Sequence, residues 1–153
     1  MLDVFALSKR SRDRLQGVNP DLVKVVERAI QLTKVDFAVT EGLRTPERQR
    51  EMYEKGASQI KEGGTHVAGR AVDLAAFIGD RISWELRLYD DIADAMKAAA
   101  VELNVGLRWG AAWNVPDIRH WSRSMEEAMN YYIDTRRKQG QRPFIDGPHF
   151  ELI

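Results

Sequence analysis

Three histidines, His66, His120 and His149, and a complete absence of cysteine set the terms for any metal chemistry in this 153-residue chain. Without thiolates an ion can be held only by His, Asp and Glu, and disulfides and cysteine nucleophiles are excluded together. Candidate ligands concentrate in two segments, Gly63-Gly-Thr-His-Val-Ala-Gly-Arg-Ala-Val-Asp-Leu74 and Asp146-Gly-Pro-His-Phe-Glu-Leu152. The separation of His66 from Asp73 spans roughly 23 Å in a straight strand and roughly 10 Å in a straight helix, too far for two ligands each ~2 Å from one ion. The chain must therefore double back between them, and Gly69 stands where a reversal can occur. Asp73 then projects from a strand and shares its face with Ala71 and Ala75, whose small side chains leave room for an ion. A carboxylate in such an apolar run is costly to bury unless it is paired or bound to metal, and an arginine partner would satisfy it as well as an ion would.

The second segment has its own alternation. In a strand, His149, Glu151 and Ile153 share one face, while Phe150 and Leu152 share the other. Gly147-Pro148 bends the chain just ahead and can swing Asp146 to the His149 side. A histidine beside Phe150 also fits a satisfied core position, so neither segment is decisive alone. Asp146 and Glu151 are rival acid–base groups, with Glu151 also placed to steady His149 from behind. His120, in Arg119-His-Trp121, reads as a surface or packing residue. Trp109 and Trp113 fit a groove wall and a core equally.

These residues need elements to hold them. Asp21 to Thr33 reads as an amphipathic helix with Leu22, Val25, Val26, Ala29 and Ile30 on one face and Pro20 in its first turn. Phe37 to Thr40 is a short strand. Thr45-Pro46 caps and opens a helix that runs to Lys55, stops at Gly56 and carries a solvated charged face. Ala71 to Phe77 reads as a buried strand. Trp84 to Leu103 is the longest helix, with Leu88, Ile92, Met96, Ala99 and Leu103 as its core stripe. Ser124-Met-Glu-Glu127 forms a capping box for a helix through Met125, Ala128, Met129, Tyr132 and Ile133, ended by Gly140 and Pro143. His149 to Ile153 closes the chain as a strand. Helices and short strands without regular alternation predict an α+β fold, a small antiparallel sheet with helices packed on it.

The totals narrow the function. A chain of 153 residues, 44% apolar and 30% charged, fits one domain over residues 1–153. Lys plus Arg equals Asp plus Glu at 23 each, which gives no electrostatic case for nucleic acid. No apolar stretch approaches the ~18 residues of a membrane span. Met1 to Arg14 alternates apolar with charged residues and lacks the apolar block of a secretory signal, so the expected starting place is a cytoplasm.

Beyond single residues, the spacing His66-x-x-Gly69-x-Ala71-x-Asp73 followed by Asp146-x-x-His149 resembles the metal signature of the LAS-type zinc peptidases. That group includes D-Ala-D-Ala carboxypeptidases and dipeptidases, the Hedgehog zinc-binding domain and phage endolysins that are L-alanyl-D-glutamate peptidases. Ser8-Lys-Arg-Ser-Arg, Gly17-Val-Asn-Pro-Asp-Leu22, Val25-Val-Glu-Arg-Ala-Ile30, Asp36-Phe37, Glu41-Gly-Leu-Arg-Thr45, Glu47-Arg-Gln49 and Pro148-His-Phe-Glu-Leu152 look like the endolysin branch. The likeness runs along nearly the whole chain and is weakest between Asp117 and Gln141. One departure stands out. Endolysins of this branch often read Trp-Gly-Gly-Asp-Trp where this chain has Trp109-Gly-Ala-Ala-Trp113, so Ala112 replaces an acid near the cleft.

The resemblance implies that His66, Asp73 and His149 bind Zn2+, that Asp146 is the catalytic base, and that Arg44 steadies the substrate. Arg44 would stabilise the oxyanion or meet the free α-carboxylate of D-Glu, which a guanidinium grips in two-pronged fashion. Three protein ligands leave one position for water, as in a catalytic rather than a structural zinc site. The implied activity is hydrolysis of the L-Ala–D-Glu bond in bacterial peptidoglycan stem peptides, causing lysis. The implied fold is that of the LAS and Hedgehog-like peptidases, as a monomer with no separate wall-binding domain. The enzyme would wait in the host cytoplasm until a holin-type pore releases it to the wall. Two alternatives remain at this level, a D-Ala-D-Ala carboxypeptidase or dipeptidase on the same zinc, and a non-catalytic Hedgehog-like zinc module.

Overall fold

The computed structural model describes residues 4–61 and 63–153, so the first three residues of the Met1–Arg14 segment lie outside it. The chain runs α1 (Lys9–Arg14), α2 (Pro20–Leu32), β1 (Asp36–Glu41), α3 (Pro46–Glu54), β2 (Ala71–Ile78), β3 (Arg81–Ser83), α4 (Leu86–Leu103), β4 (Leu107–Trp109), a 3-10 turn (Ile118–His120), α5 (Met125–Lys138) and β5 (His149–Leu152). All pairings are antiparallel, in the order β1-β2-β5-β4, with β3 joined to the far end of β2. The α+β expectation holds. No helix among the described residues is long and apolar enough to cross a membrane.

Local chemistry explains the helix boundaries. Asn19 caps α2 through its side chain, with Pro20 in the first turn. Thr45 does the same for α3 ahead of Pro46, and Ser124 for α5, where its hydroxyl accepts from Glu127 N. The longest helix is shorter than the sequence suggests. It begins at Leu86, leaving Trp84 65% exposed, and ends where Asn104 turns left-handed at φ 57°. Leu103 is consequently exposed rather than in the core, and Tyr89, Ala93 and Ala100 extend the buried stripe instead. Similarly, β5 stops at Leu152, and Ile153 is exposed. α1, β3 and β4 carry too little periodicity to have been foreseen.

Strand alternation divides the sheet into two chemically different faces. Phe37 and Val39 of β1, Val72, Leu74 and Ala76 of β2, Leu107 and Trp109 of β4, and Phe150 and Leu152 of β5 all belong to the hydrophobic core. That core is covered by α2 and α4, which pack on each other, and α4 also touches β2 and β4. The opposite face carries Asp73, His149, Glu151 and Arg108. Register aligns them, pairing Asp73 with His149, Ala71 with Glu151, and Arg108 with Glu151. The apolar face fixes this register, since a one-residue slip would exchange core and polar side chains.

One buried acid sits badly in this scheme. Asp90 of α4 is only 7% exposed, and burial followed by the charges of Asp91, Glu126 and Asp94 pushes its pKa up to about 6. A carboxyl that is harder to ionise when folded costs nothing below its unfolded pKa near 4. Its cost grows as pH rises to about 6 and is constant above that. Asp90→Asn should therefore stabilise the fold at neutral pH by on the order of 1 kcal/mol, about 2–4 °C in thermal midpoint, with the gain shrinking toward pH 4. Calorimetry at the two pH values checks this; an equal or larger gain at pH 4 contradicts it.

Candidate metal centre

His66 reaches the sheet from a tight loop. Gly69, at φ +70°, reverses the chain, and Arg70 N bonds back to Thr65 O at 2.7 Å. A side chain at Gly69 would press on the Gly17 carbonyl, so the reversal requires glycine twice over. The result brings His66 Nε2 to 3.2 Å from Asp73 Oδ1 on β2, as the doubling back required. His149 arrives from the neighbouring strand, with Nδ1 3.2 Å from His66 Nε2 and 3.5 Å from Asp73 Oδ1. Around a tetrahedral zinc with bonds of 2.0–2.1 Å, donor atoms stand roughly 3.3 Å apart. The triangle therefore has the dimensions of three ligands of one ion, and these three residues form the one group of potential ligands that converges among the described residues.

The remaining ring nitrogens are also committed. His66 Nδ1 lies 3.0 Å from Gly42 O, where it donates, and this leaves Nε2 as the lone-pair side facing the triangle. His149 Nε2 lies 2.7 Å from Glu151 Oε1, which fixes the other tautomer with Nδ1 facing inward. Each imidazole is thus held from behind by an oxygen while its free nitrogen points at the common centre, a pattern typical of metal-ligating histidines. Glu151 belongs to this support. His66 and His149 are 4% and 7% exposed.

Electrostatics fit the same centre. Burial alone would raise the Asp73 pKa, but the adjacent imidazoles of His149 and His66 outweigh it and hold the carboxyl well below the usual range. Burial pulls His149 down, and Asp73 and Glu151 more than reverse this, pushing it up to about 9. An ion binding here would have to displace that proton.

Arg44 is brought to the site, but not as a free clamp. It is 5% exposed, and its guanidinium grips Glu41 through Nε at 2.7 Å and Nη2 at 2.8 Å. Nη1 donates to Gln49 Oε1 at 2.8 Å, and Nη2 also reaches Asp73 Oδ2 at 3.4 Å. Glu41 stands opposite Asp73 because a bulge after Val39 shifts the β1 register, turning a residue that alternation would send to the core onto the site face. Gln49, buried on the otherwise solvated α3, ties this cluster to Ser58 Oγ. The parts played by Glu41 and Gln49 are not evident from local sequence pattern, although the three-residue spacing of Glu41 and Arg44 is a signal of their pairing.

Asp146 lies on the Gly147-Pro148 bend and lines the cleft with the three potential ligands. Its carbonyl accepts from His149 N at 3.0 Å, and its N–H donates to Gly110 O at 2.8 Å. Gly110 has no side chain because a Cβ there would overlap the Asp146 carbonyl. Burial and the charge of Asp73 raise the Asp146 pKa to about 6, against the opposing pull of His149, His66 and Arg44. The two tryptophans divide. Trp109 is fully buried and donates its indole N–H to Gly147 O at 2.7 Å, fixing the bend from the core side. Trp113 lines the cleft, its ring 5.4 Å from that of His149. Ala111 and Ala112 are buried apolar residues, and His120 is exposed beside Asp117. The cleft holds about 1170 Å³, room for several residues of an extended peptide.

A family model described as phage L-alanyl-D-glutamate peptidase matches residues 3–153. Over 152 residues the chain is 34% identical to the L-alanyl-D-glutamate peptidase of Escherichia phage T5, covering 97% of this chain and 98% of that protein. The crystal structure of Serratia marcescens L-Ala D-Glu endopeptidase ChiX superposes with a TM-score of 0.72 at 34% identity, over 99% of this chain and 92% of that one. The vancomycin-resistance D,D-dipeptidase VanXYg shares the fold, with a TM-score of 0.51 at 17% identity over 88% of this chain and 50% of that one. The chain belongs to the phage L-alanyl-D-glutamate peptidase family.

Proposed function

We propose that this protein is a zinc-dependent peptidase that hydrolyses the L-Ala–D-Glu bond of peptidoglycan stem peptides. The observation that carries the reading is the convergence of His66 Nε2, Asp73 Oδ1 and His149 Nδ1 on one point beside an open cleft. These three residues would hold the ion. A bound zinc supplies a Lewis acid that polarises the scissile carbonyl and acidifies water at neutral pH.

The chain's own residues do the rest. Asp146 accepts the proton of the attacking water and returns it to the departing amine, a role suited to a carboxyl whose pKa is raised toward neutrality. Glu151 keeps His149 in its ligating tautomer. Arg44 fixes the Asp73 carboxylate from the side away from the ion and ties it to Glu41, which makes it a positioning residue. The enzyme acts on the wall as a monomer after leaving the host cytoplasm through a holin-type pore, and residues 1–153 suffice for catalysis.

Mass spectrometry of digested wall tests the assignment. Released stems should begin with D-Glu, leaving L-Ala on the glycan; free D-Ala with otherwise intact stems would place the protein with the carboxypeptidases. Elemental analysis should find one zinc per chain, largely lost in His66→Ala and His149→Ala and kept in His120→Ala. Asp146→Asn should keep its zinc yet lose at least ~100-fold in turnover, and Glu151→Gln should lose less. The reverse order would make Glu151 the base. Arg44→Lys should weaken zinc binding by about 10–100-fold, because lysine cannot hold two carboxylates in a forked geometry. Unchanged zinc affinity with a raised KM would instead mean that Arg44 contacts substrate.

A further inference from the structure

One wall of the cleft holds more donors than acceptors. Arg108, Arg136 and Arg142 line it, and among the described residues none of them has a carboxylate partner within ion-pairing distance. On the metal side, Glu41 is matched by Arg44 and Arg48, and Glu151 by His149. Among the described residues, two buried side-chain nitrogens lack any hydrogen-bond partner, Trp113 Nε1 and Arg136 Nε. Both belong to this wall. Buried donors without acceptors are rare because each forfeits its hydration, so two beside one cleft wall leave hydrogen-bonding capacity there that none of the described residues satisfies.

The wall is also built rather than loose. Arg108 lies on the site face of the sheet, its guanidinium 5.2 Å over the Trp113 ring, with Nε donating to the Trp113 carbonyl at 2.9 Å. Arg136 comes from the last turn of α5 and spends one N–H on the Arg142 carbonyl at a long 3.4 Å. The α5–β5 connection that carries Arg142 is pinned by Tyr132, whose hydroxyl donates to Phe144 O at 3.1 Å and accepts from Phe144 N at 3.2 Å. The chain as a whole is neutral, so this is not a sample of a generally basic surface. All three cations are arginines, the side chain that matches a carboxylate two-pronged. Arg44 is largely engaged elsewhere, with Glu41, Gln49 and Asp73.

We propose that the Arg108–Arg136–Arg142 wall is a carboxylate-recognition subsite, with Arg136 as its principal donor, that selects stem peptides by their free acid groups. The proposal rests on the stem-peptide reading given above. Such a carboxylate has two sources, the α-carboxylate of D-Glu beside the cut bond and the free carboxylate of a diamino diacid as the next residue.

The test uses the zinc-loaded full chain and three soluble stem peptides: one with both carboxylates free, one amidated at D-Glu, and one amidated at the diamino diacid. Wild type should lose at least ~10-fold in kcat/KM on one amidated peptide, mainly through KM, and the penalised peptide identifies the carboxylate. Arg136→Gln should bring the ratio between free and amidated peptides to within about 2-fold, with Arg136→Lys retaining part of it. Because Arg142 is exposed, Arg142→Gln provides a second variant should Arg136→Gln fail to fold, and it should cut the same ratio by at least ~3-fold. Equal cleavage of all three peptides by wild type, or an unaltered ratio in the variants, overturns the subsite. Failure to cut any of them overturns the stem-peptide reading itself.

Discussion

An ionised carboxylate in the middle of an apolar strand has to be compensated, and the architecture around Asp73 follows from that need. Asp73 lies between Val72 and Leu74, both fully buried, in the strand that joins the two halves of the sheet. Its Oδ1 faces two imidazoles and its Oδ2 faces Arg44. Each compensating group is held in turn, His66 by the Gly42 carbonyl, His149 by Glu151, and Arg44 by Glu41 and Gln49. A network of this kind is stable only when complete, since removing one member leaves a buried charge or donor unmatched.

The sheet makes that network compatible with a small core. Its α2 and α4 side takes the large buried apolar residues of the strands, so the other face is free to be polar without opening the interior to water. Where simple alternation would misplace a group, a local irregularity corrects it. The bulge in β1 turns Glu41 toward Asp73, and the glycine reversal at Gly69 returns His66 to the strand it precedes. Trp109 and Gly110 do equivalent service for Asp146, one holding the bend from within and the other letting the backbone approach.

Much of this was legible in the residues. The histidine count, the absence of cysteine and the spacing of His66 to Asp73 required a turn at Gly69, and strand alternation put His149 and Glu151 on one face. What could not be read were effects that depend on distant packing. Trp109 and Trp113 are chemically alike, and only the closure of β4 on β5 sends one inward and the other to the cleft. The resemblance assigns Arg44 to the substrate, and its spacing from Glu41 hints at an ion pair, but only the fold brings Gln49 and Asp73 to it as well. Leu103 fitted the helical stripe but is the last helical residue, where Asn104 turns the chain left-handed, and it stays exposed.

The long sequence gap between the two histidines has a topological consequence. An ion shared by His66 and His149 closes a loop of 83 residues in a chain that has no cysteine to close one covalently. In chain-entropy terms, a cross-link over that span removes about 4–5 kcal/mol of freedom from the unfolded ensemble. The loop includes β2, α4 and α5 entire, so the metal would act as a removable staple across most of the molecule. Tolerance of heat and proteases would then follow the supply of metal, and a chelator would soften the scaffold as well as silence the chemistry.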